Sequence, residues 1–301
     1  MSFEHQNLPE PEVQLHLLEQ PKRLPAGEGW AWIRQAWRIF RMRSGMWVAM
    51  TLILGLVSLG VTIVFGLLAS ISPALAVVAN ILNGIVMTAL MAGMIFAAHK
   101  LLGENRFEIS MLFEGISRKF SSFAILALFN YACVLLAQLV MSLVSPTGKL
   151  MLMSSVGMEQ QIPAETMTSA LSGPAGFLSI LLFFVLYLPA MMMLWFASSL
   201  VMLHDIKPLQ AMKMSLQGCL ANIRPMLVYG LACFGFSLLI TVVLSLLVLP
   251  FIAAGGQAAT AIMMGLGMIV VMIPLMLVLL PVLVLTYYTS YRGVWTDIPL
   301  E

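Results

Sequence analysis

Charge is what this chain has least of. Asp, Glu, Lys and Arg together make up 9% of 301 residues, against 61% apolar ones, and the mean hydropathy is +0.99. Soluble domains carry roughly a quarter charged residues, so water is excluded as the solvent for most of the chain and lipid takes its place. Cysteine is also scarce. Cys133, Cys219 and Cys233 are odd in number and form no CxxC pair, which excludes a disulfide framework and a cysteine zinc site. Short alternations of apolar and polar residues are missing, so a β-barrel is excluded. A Gly-rich phosphate loop, HExxH, GxSxG and paired carboxylates in a plausible cleft are all absent, and with them the usual enzyme signatures. The first 28 residues are acidic and contain proline, with no basic stretch leading into an apolar core and a small-residue cleavage site. The first apolar segment is therefore expected to be retained.

What is present is a series of long apolar runs. A helix needs about 20 residues to cross a hydrocarbon core of about 30 Å. Six segments meet that length, at 46–69, 75–98, 120–144, 174–203, 225–249 and 259–288, and none of them contains Asp, Glu, Lys, Arg or His. Coupled carriers commonly keep an ionisable group at membrane depth, so its absence argues against one. Fourteen basic residues flank the spans on one side, in the stretches before the first span, between the second and third, between the fourth and fifth, and after the sixth; Lys149 alone falls on the other. The positive-inside rule then places both termini in the cytoplasm of a bacterial inner membrane.

Each cytoplasmic approach to an odd-numbered span repeats one pattern. Trp30, Ile33, Trp37 and Phe40 recur at helical spacing beside Arg34, Arg38 and Arg41. Ile109, Leu112, Phe113, Ile116 and Phe120 end on Arg118 and Lys119. Leu209, Met212, Leu216, Leu220 and Ile223 run beside Lys213 and Arg224. Such stripes suit helices in the headgroup plane, with rings toward acyl chains and cations toward lipid phosphates. The expected architecture is all-α: three transmembrane hairpins, each preceded by an amphipathic interfacial helix, or else ordinary juxtamembrane anchors without shared ancestry. Residues 1–28 read as a disordered acidic tail, 29–292 as the six-helix domain and 293–301 as a short cytoplasmic tail. The spacer 145–173, with Glu159 and Glu165, is too short for a domain of its own, and Gly255 and Gly256 mark a turn.

Within the spans, Asn80, Asn83, Asn130 and Gln138 are candidates for a polar site or for interhelical hydrogen bonds. Asn80 and Asn83 share a face one turn apart. Ala89, Gly93 and Ala97 make a small-residue seam that predicts close packing. His99 and His204, with Asp205, stand at two span exits, as solvated histidines or as an incomplete metal or haem site; no metal or other cofactor is expected. The 25 methionines fill irregular packing or pass soft metal ions. Pro189, Pro274 and Pro281 bend the spans that hold them.

Two stretches resemble a known family. The run from Gly29 to Phe40 is similar to the aromatic and basic approach helix of a proteobacterial family of integral membrane proteins of unknown function. That family is related in pattern to the membrane domain of some glycerophosphodiester phosphodiesterases. The second stretch runs from Leu188-Pro189-Ala190 through Ala211 and Ser215 to Asn222, then Val228-Tyr229-Gly230. The resemblance implies a six-helix inner-membrane protein and brings no catalytic residues with it.

The expected function is non-enzymatic: a scaffold or accessory protein binding anionic lipid and a membrane-protein partner, or a second copy of itself, and no nucleic acid. Trp30, Arg34, Trp37, Arg38, Arg41, Arg118, Lys119, Lys213 and Arg224 would meet the headgroups. The alternative is a facilitator of a lipidic or hydrophobic small molecule.

Overall fold

The computed structural model describes residues 15–69, 72–156, 166, 169–170, 173–253, 268–298 and 300. The acidic stretch before Leu15, Glu159, Glu165 and the Gly255-Gly256 turn lie outside the described residues. Those described are almost entirely helical, with one isolated antiparallel bridge, Leu17 to Thr296. Among the described residues, six helices are long and apolar enough to cross a membrane.

A helix over Glu28–Met42 (α1) leads into the first span, Ser44–Ala69 (α2), and the second follows at Pro73–Glu104 (α3). A 3-10 turn at Ile109–Phe113 opens the third, Glu114–Val144 (α4), which is followed by a short helix, Pro146–Ser155 (α5). The fourth span is divided into Gly173–Trp195 (α6) and Ala197–His204 (α7). Pro208–Ala221 (α8) precedes the fifth, Ile223–Ala253 (α9). A π-helical segment at Met268–Met272 opens the sixth, Ile273–Trp295 (α10).

The sequence dictates several of these boundaries. Proline stands in the first turn of α3, α5, α8 and α10, where its missing N–H costs nothing. Asn105 and Asp205 close α3 and α7 with φ of 51° and 57°, the left-handed conformation that their short polar side chains tolerate. One backbone break recurs three times where an approach helix meets a span: Arg43 (φ −144°, ψ 47°), Lys119 (φ −136°, ψ 26°) and Asn222 (φ −124°, ψ 36°).

The α3 helix is the axis of the bundle. Of its most apolar window 56% is buried, against 6% for the fifth span, which therefore stands at the edge. Lipid supplies no hydrophobic drive between helices, so close packing must hold them together. The seam of Ala89, Gly93 and Ala97 meets the approach to the third span. A Cβ on Gly93 would overlap the Leu112 carbonyl, and one on Gly115 the Ala89 carbonyl. In the same way Gly29 lets α1 touch the backbone of α9 at Pro225. The α1 helix packs on both α9 and α10, while Tyr229 and Thr286 join those two spans by a hydrogen bond of 2.9 Å.

The division of the fourth span has a visible cause. Ser215 of α8 reaches into its hydrogen-bond ladder, accepting from the Phe196 N–H at 2.8 Å and donating to the Met192 carbonyl at 2.7 Å. A side chain inserted between partners four residues apart interrupts a helix there.

Two expectations change. Residues 15–27 are not a free tail: Leu18 N–H donates to Trp295 O at 3.0 Å and Lys22 N–H to Val294 O at 2.9 Å. The sixth helix continues seven residues past 288 and carries Arg292, 6% exposed, into the packed end of the bundle. Formal charge is thus not wholly excluded from the helices. Beyond α4, the spacer folds back as α5, capped by Ser145 accepting from Gly148 N–H at 2.9 Å.

Candidate lipid-facing and intramembrane sites

The α1 helix has two unlike sides. Gly29, Trp32, Ala36, Ile39 and Phe40 are buried against the bundle. Trp30 and Trp37 are 47% and 45% exposed, on the side that carries the exposed Arg34, Arg38 and Arg41. The stripe read from the sequence is therefore split: Phe40 turns in, Ile33 is half-buried and the two tryptophans turn out. Trp30 stacks on Phe236 of α9 at 5.9 Å, which extends the exposed apolar side onto that span. Arg34, Trp37, Arg38, Arg41 and Met42 line one shallow concavity.

The other approaches divide likewise. Leu112 and Met212 are buried, while Phe113, Phe120, Leu209, Leu220 and Ile223 are exposed. What turns inward instead is a set of small residues, Ala211, Ser215, Gly218 and Cys219, at helical spacing. That spacing is the signal that a search for large apolar residues misses.

The cations there differ in their engagements. Arg118 pairs with Glu114 and lies 5.2 Å from the Phe96 ring centre, and Lys119 pairs with Asp205. Lys213 and Arg224 are exposed, Lys213 in a shallow concavity with Lys207 and Leu209. Between the second and third spans, the Arg106 guanidinium at 3.0 Å, with the Ser110 hydroxyl, holds the Glu108 carboxyl below the usual carboxylate range.

The four polar residues of the spans do not come together as one site. Asn80 is exposed, whereas Asn83 is half-buried with its Oδ1 unpartnered among the described residues. Their shared face is not a single polar surface. Gln138 is buried, its Oε1 likewise unpartnered. Asn130 accepts a hydrogen bond from the Tyr187 hydroxyl and lines a partly open cavity of about 250 Å³ between α3, α4, α6, α7 and α10. Tyr187, Trp195 and Tyr287 of that lining carry signals only in combination, since no local spacing joins them to Asn130.

Where the two chain ends meet, a polar network closes the bundle. Arg292 donates to Tyr288 Oη at 3.1 Å and, through Nε and an Nη, to Ile298 O at 3.1 and 2.9 Å. His204 is hydrogen-bonded to Tyr291, and Tyr288 lies 3.5 Å from His99 Nδ1. Each histidine thus has its own tyrosine. Among the described residues no three His, Cys, Asp or Glu side chains are grouped to hold a metal ion. Asn222 ties the N-terminal stretch down, accepting from Leu24 N–H at 2.8 Å and donating to Lys22 O at 2.8 Å and Gly218 O at 3.0 Å.

No family model matches the chain. No solved structure matches it either. A probable inner membrane protein of Burkholderia thailandensis is 34% identical over 124 residues, which cover 41% of this chain and 42% of that relative. The chain thus spans less than half the length of the curated relative it matches. The six long apolar helices among its described residues and this likeness make it a multi-pass membrane protein, similar over two-fifths of its length to a probable inner membrane protein of a bacterium.

Proposed function

We propose that this is a non-enzymatic protein of the bacterial inner membrane that works by binding: anionic lipid at its approach helices, and a membrane-protein partner or a second copy of itself. Both termini are cytoplasmic in this reading, as the Lys and Arg bias of the loops requires. The observation that carries it is the outer side of α1, where Trp30 and Trp37 stay exposed among Arg34, Arg38 and Arg41. Tryptophan at an interface combines an apolar body with a polar N–H, and arginine meets phosphate through a planar fork of donors. In water such exposed rings would be a liability; beside headgroups they are anchors. The family resemblance noted for residues 29–40 falls on this same helix.

Native mass spectrometry of the full chain, extracted in mild detergent, tests this reading. Phosphatidylglycerol or cardiolipin should be retained in preference to phosphatidylethanolamine. Each basic residue near an anionic surface contributes about 1 kcal/mol, so changing Arg34, Arg38 and Arg41 together to Gln should weaken that preference on the order of 100-fold. Equal retention of neutral and anionic lipids by the unaltered chain would remove the lipid-binding reading. A second protein at fixed stoichiometry in the same spectra supports the partner, and monomers alone speak against it.

One observation favours a second reading, a facilitator of a hydrophobic molecule: the cavity at Asn130, lined by groups from four of the spans.

A further inference from the structure

The cavity at Asn130 lies well inside the spans, since Thr88, Asn130 and Tyr187 each stand many residues from either end of the helices that hold them. Its lining contains no charged residue. At that depth a charged ligand would enter uncompensated, which the bilayer opposes by about 3 kcal/mol per charge on insertion scales, so the occupant is uncharged.

Of the polar groups in the lining, Thr88, Tyr187 and Trp195 already donate to Gly84 O, Asn130 Oδ1 and Ser290 Oγ, and the others are able to donate to an occupant. The Tyr187 hydroxyl donates to Asn130 Oδ1, which leaves the two amide hydrogens on Nδ2. Among the described residues, those hydrogens and the hydroxyls of Ser198 and Tyr287 have no partner. Donors without acceptors in a lipid environment are costly, and carbonyl oxygens on the occupant would answer them.

The walls add a shape. Trp195 lies 4.6 Å from the Tyr287 ring centre and 5.2 Å from that of Tyr229, and its indole N–H donates to Ser290 Oγ at 3.1 Å. Tyr187 brings a third ring to the lining. Fixed aromatic faces favour a flat ring in offset or edge contact over a flexible chain. The cavity is partly open, which leaves room for a tail to extend out of it.

We infer that this cavity binds the ring of a lipid-soluble quinone, with a ring carbonyl accepting from Asn130 and Tyr287 and the tail extending into the bilayer. The inference is independent of the anionic-lipid reading, because it uses no residue of α1.

The test uses the purified full chain in detergent and a decyl-tailed benzoquinone as the probe, with thermal stabilisation and native-mass-spectrometry adducts as readouts. Saturable binding of one probe per chain is expected. Tyr287→Phe removes one oxygen and keeps the ring, and should weaken binding about fivefold. Asn130→Leu should weaken it about tenfold or more. Asn80→Leu, on an exposed position, and the triple change of Arg34, Arg38 and Arg41 to Gln should leave it unchanged. Since Asn130→Leu also strips Tyr187 of its acceptor, Tyr287→Phe is the decisive variant should the former fail to fold. The proposal is overturned if no saturable binding occurs, if Tyr287→Phe binds as tightly as the unaltered chain, or if dioleoylglycerol occupies the site as well as the quinone.

Discussion

Asn222 shows how much one side chain can organise. It is buried at the break between α8 and α9, and its amide binds the backbone of Leu24, Lys22 and Gly218. Each bond contributes about 1 kcal/mol, so Asn222→Ala should cost about 3 kcal/mol of local stability. The expected outcome is release of the N-terminal stretch, read as rapid tryptic cleavage after Lys22 and Arg23 in a chain whose spans remain intact; protection equal to the unaltered chain would refute it. Asn222 belongs to the stretch that carries the family resemblance, yet its role was not legible there, because Leu24 and Lys22 lie about two hundred positions away. Asn130 was legible as polar and within a span. Its pairing with Tyr187, 57 residues distant, was not. Asn80 and Asn83 misled for a related reason: helical spacing gives a shared face but does not say which part of that face a neighbour covers.

Among the elements, the long apolar runs announced themselves, because a span must satisfy its backbone internally and present apolar side chains throughout. Helix ends were less legible. The sixth span continues through Tyr291 and Arg292 because His204, Ile298 and α1 pack around them, and no local signal marks that environment. The approach helices were found by their large residues, but small ones decide how they dock. At Gly115 the approach to the third span touches the Ala89 carbonyl of α3 directly. Gly115→Ala should therefore destabilise the bundle by about 1–3 kcal/mol, the cost of overpacking. Gly84→Ala, where a Cβ would meet nothing within 4 Å, should be neutral or slightly stabilising, as helix propensity favours alanine by about 0.5–1 kcal/mol. Thermal unfolding in detergent compares the two; equal effects would mean the seam is not a close contact.

For the molecule as a whole, the meeting of the two chain ends carries a consequence. Leu17 bridges Thr296, and Gln35 donates to Leu300 O at 2.6 Å, so both ends must lie on the same side of the membrane. An even number of spans satisfies that condition. In the proposed function the basic residues set that side as the cytoplasmic one, where the arginines of α1 would face the anionic leaflet. The most direct measurement labels single cysteines with a membrane-impermeant maleimide in intact spheroplasts, in a chain whose Cys133, Cys219 and Cys233 are first replaced by serine. Cysteine in place of the exposed Lys149 on α5 should be labelled at once, and cysteine in place of Leu18 only after permeabilisation. Labelling of position 18 in sealed cells, with position 149 protected, would contradict the orientation and the lipid-binding role that depends on it.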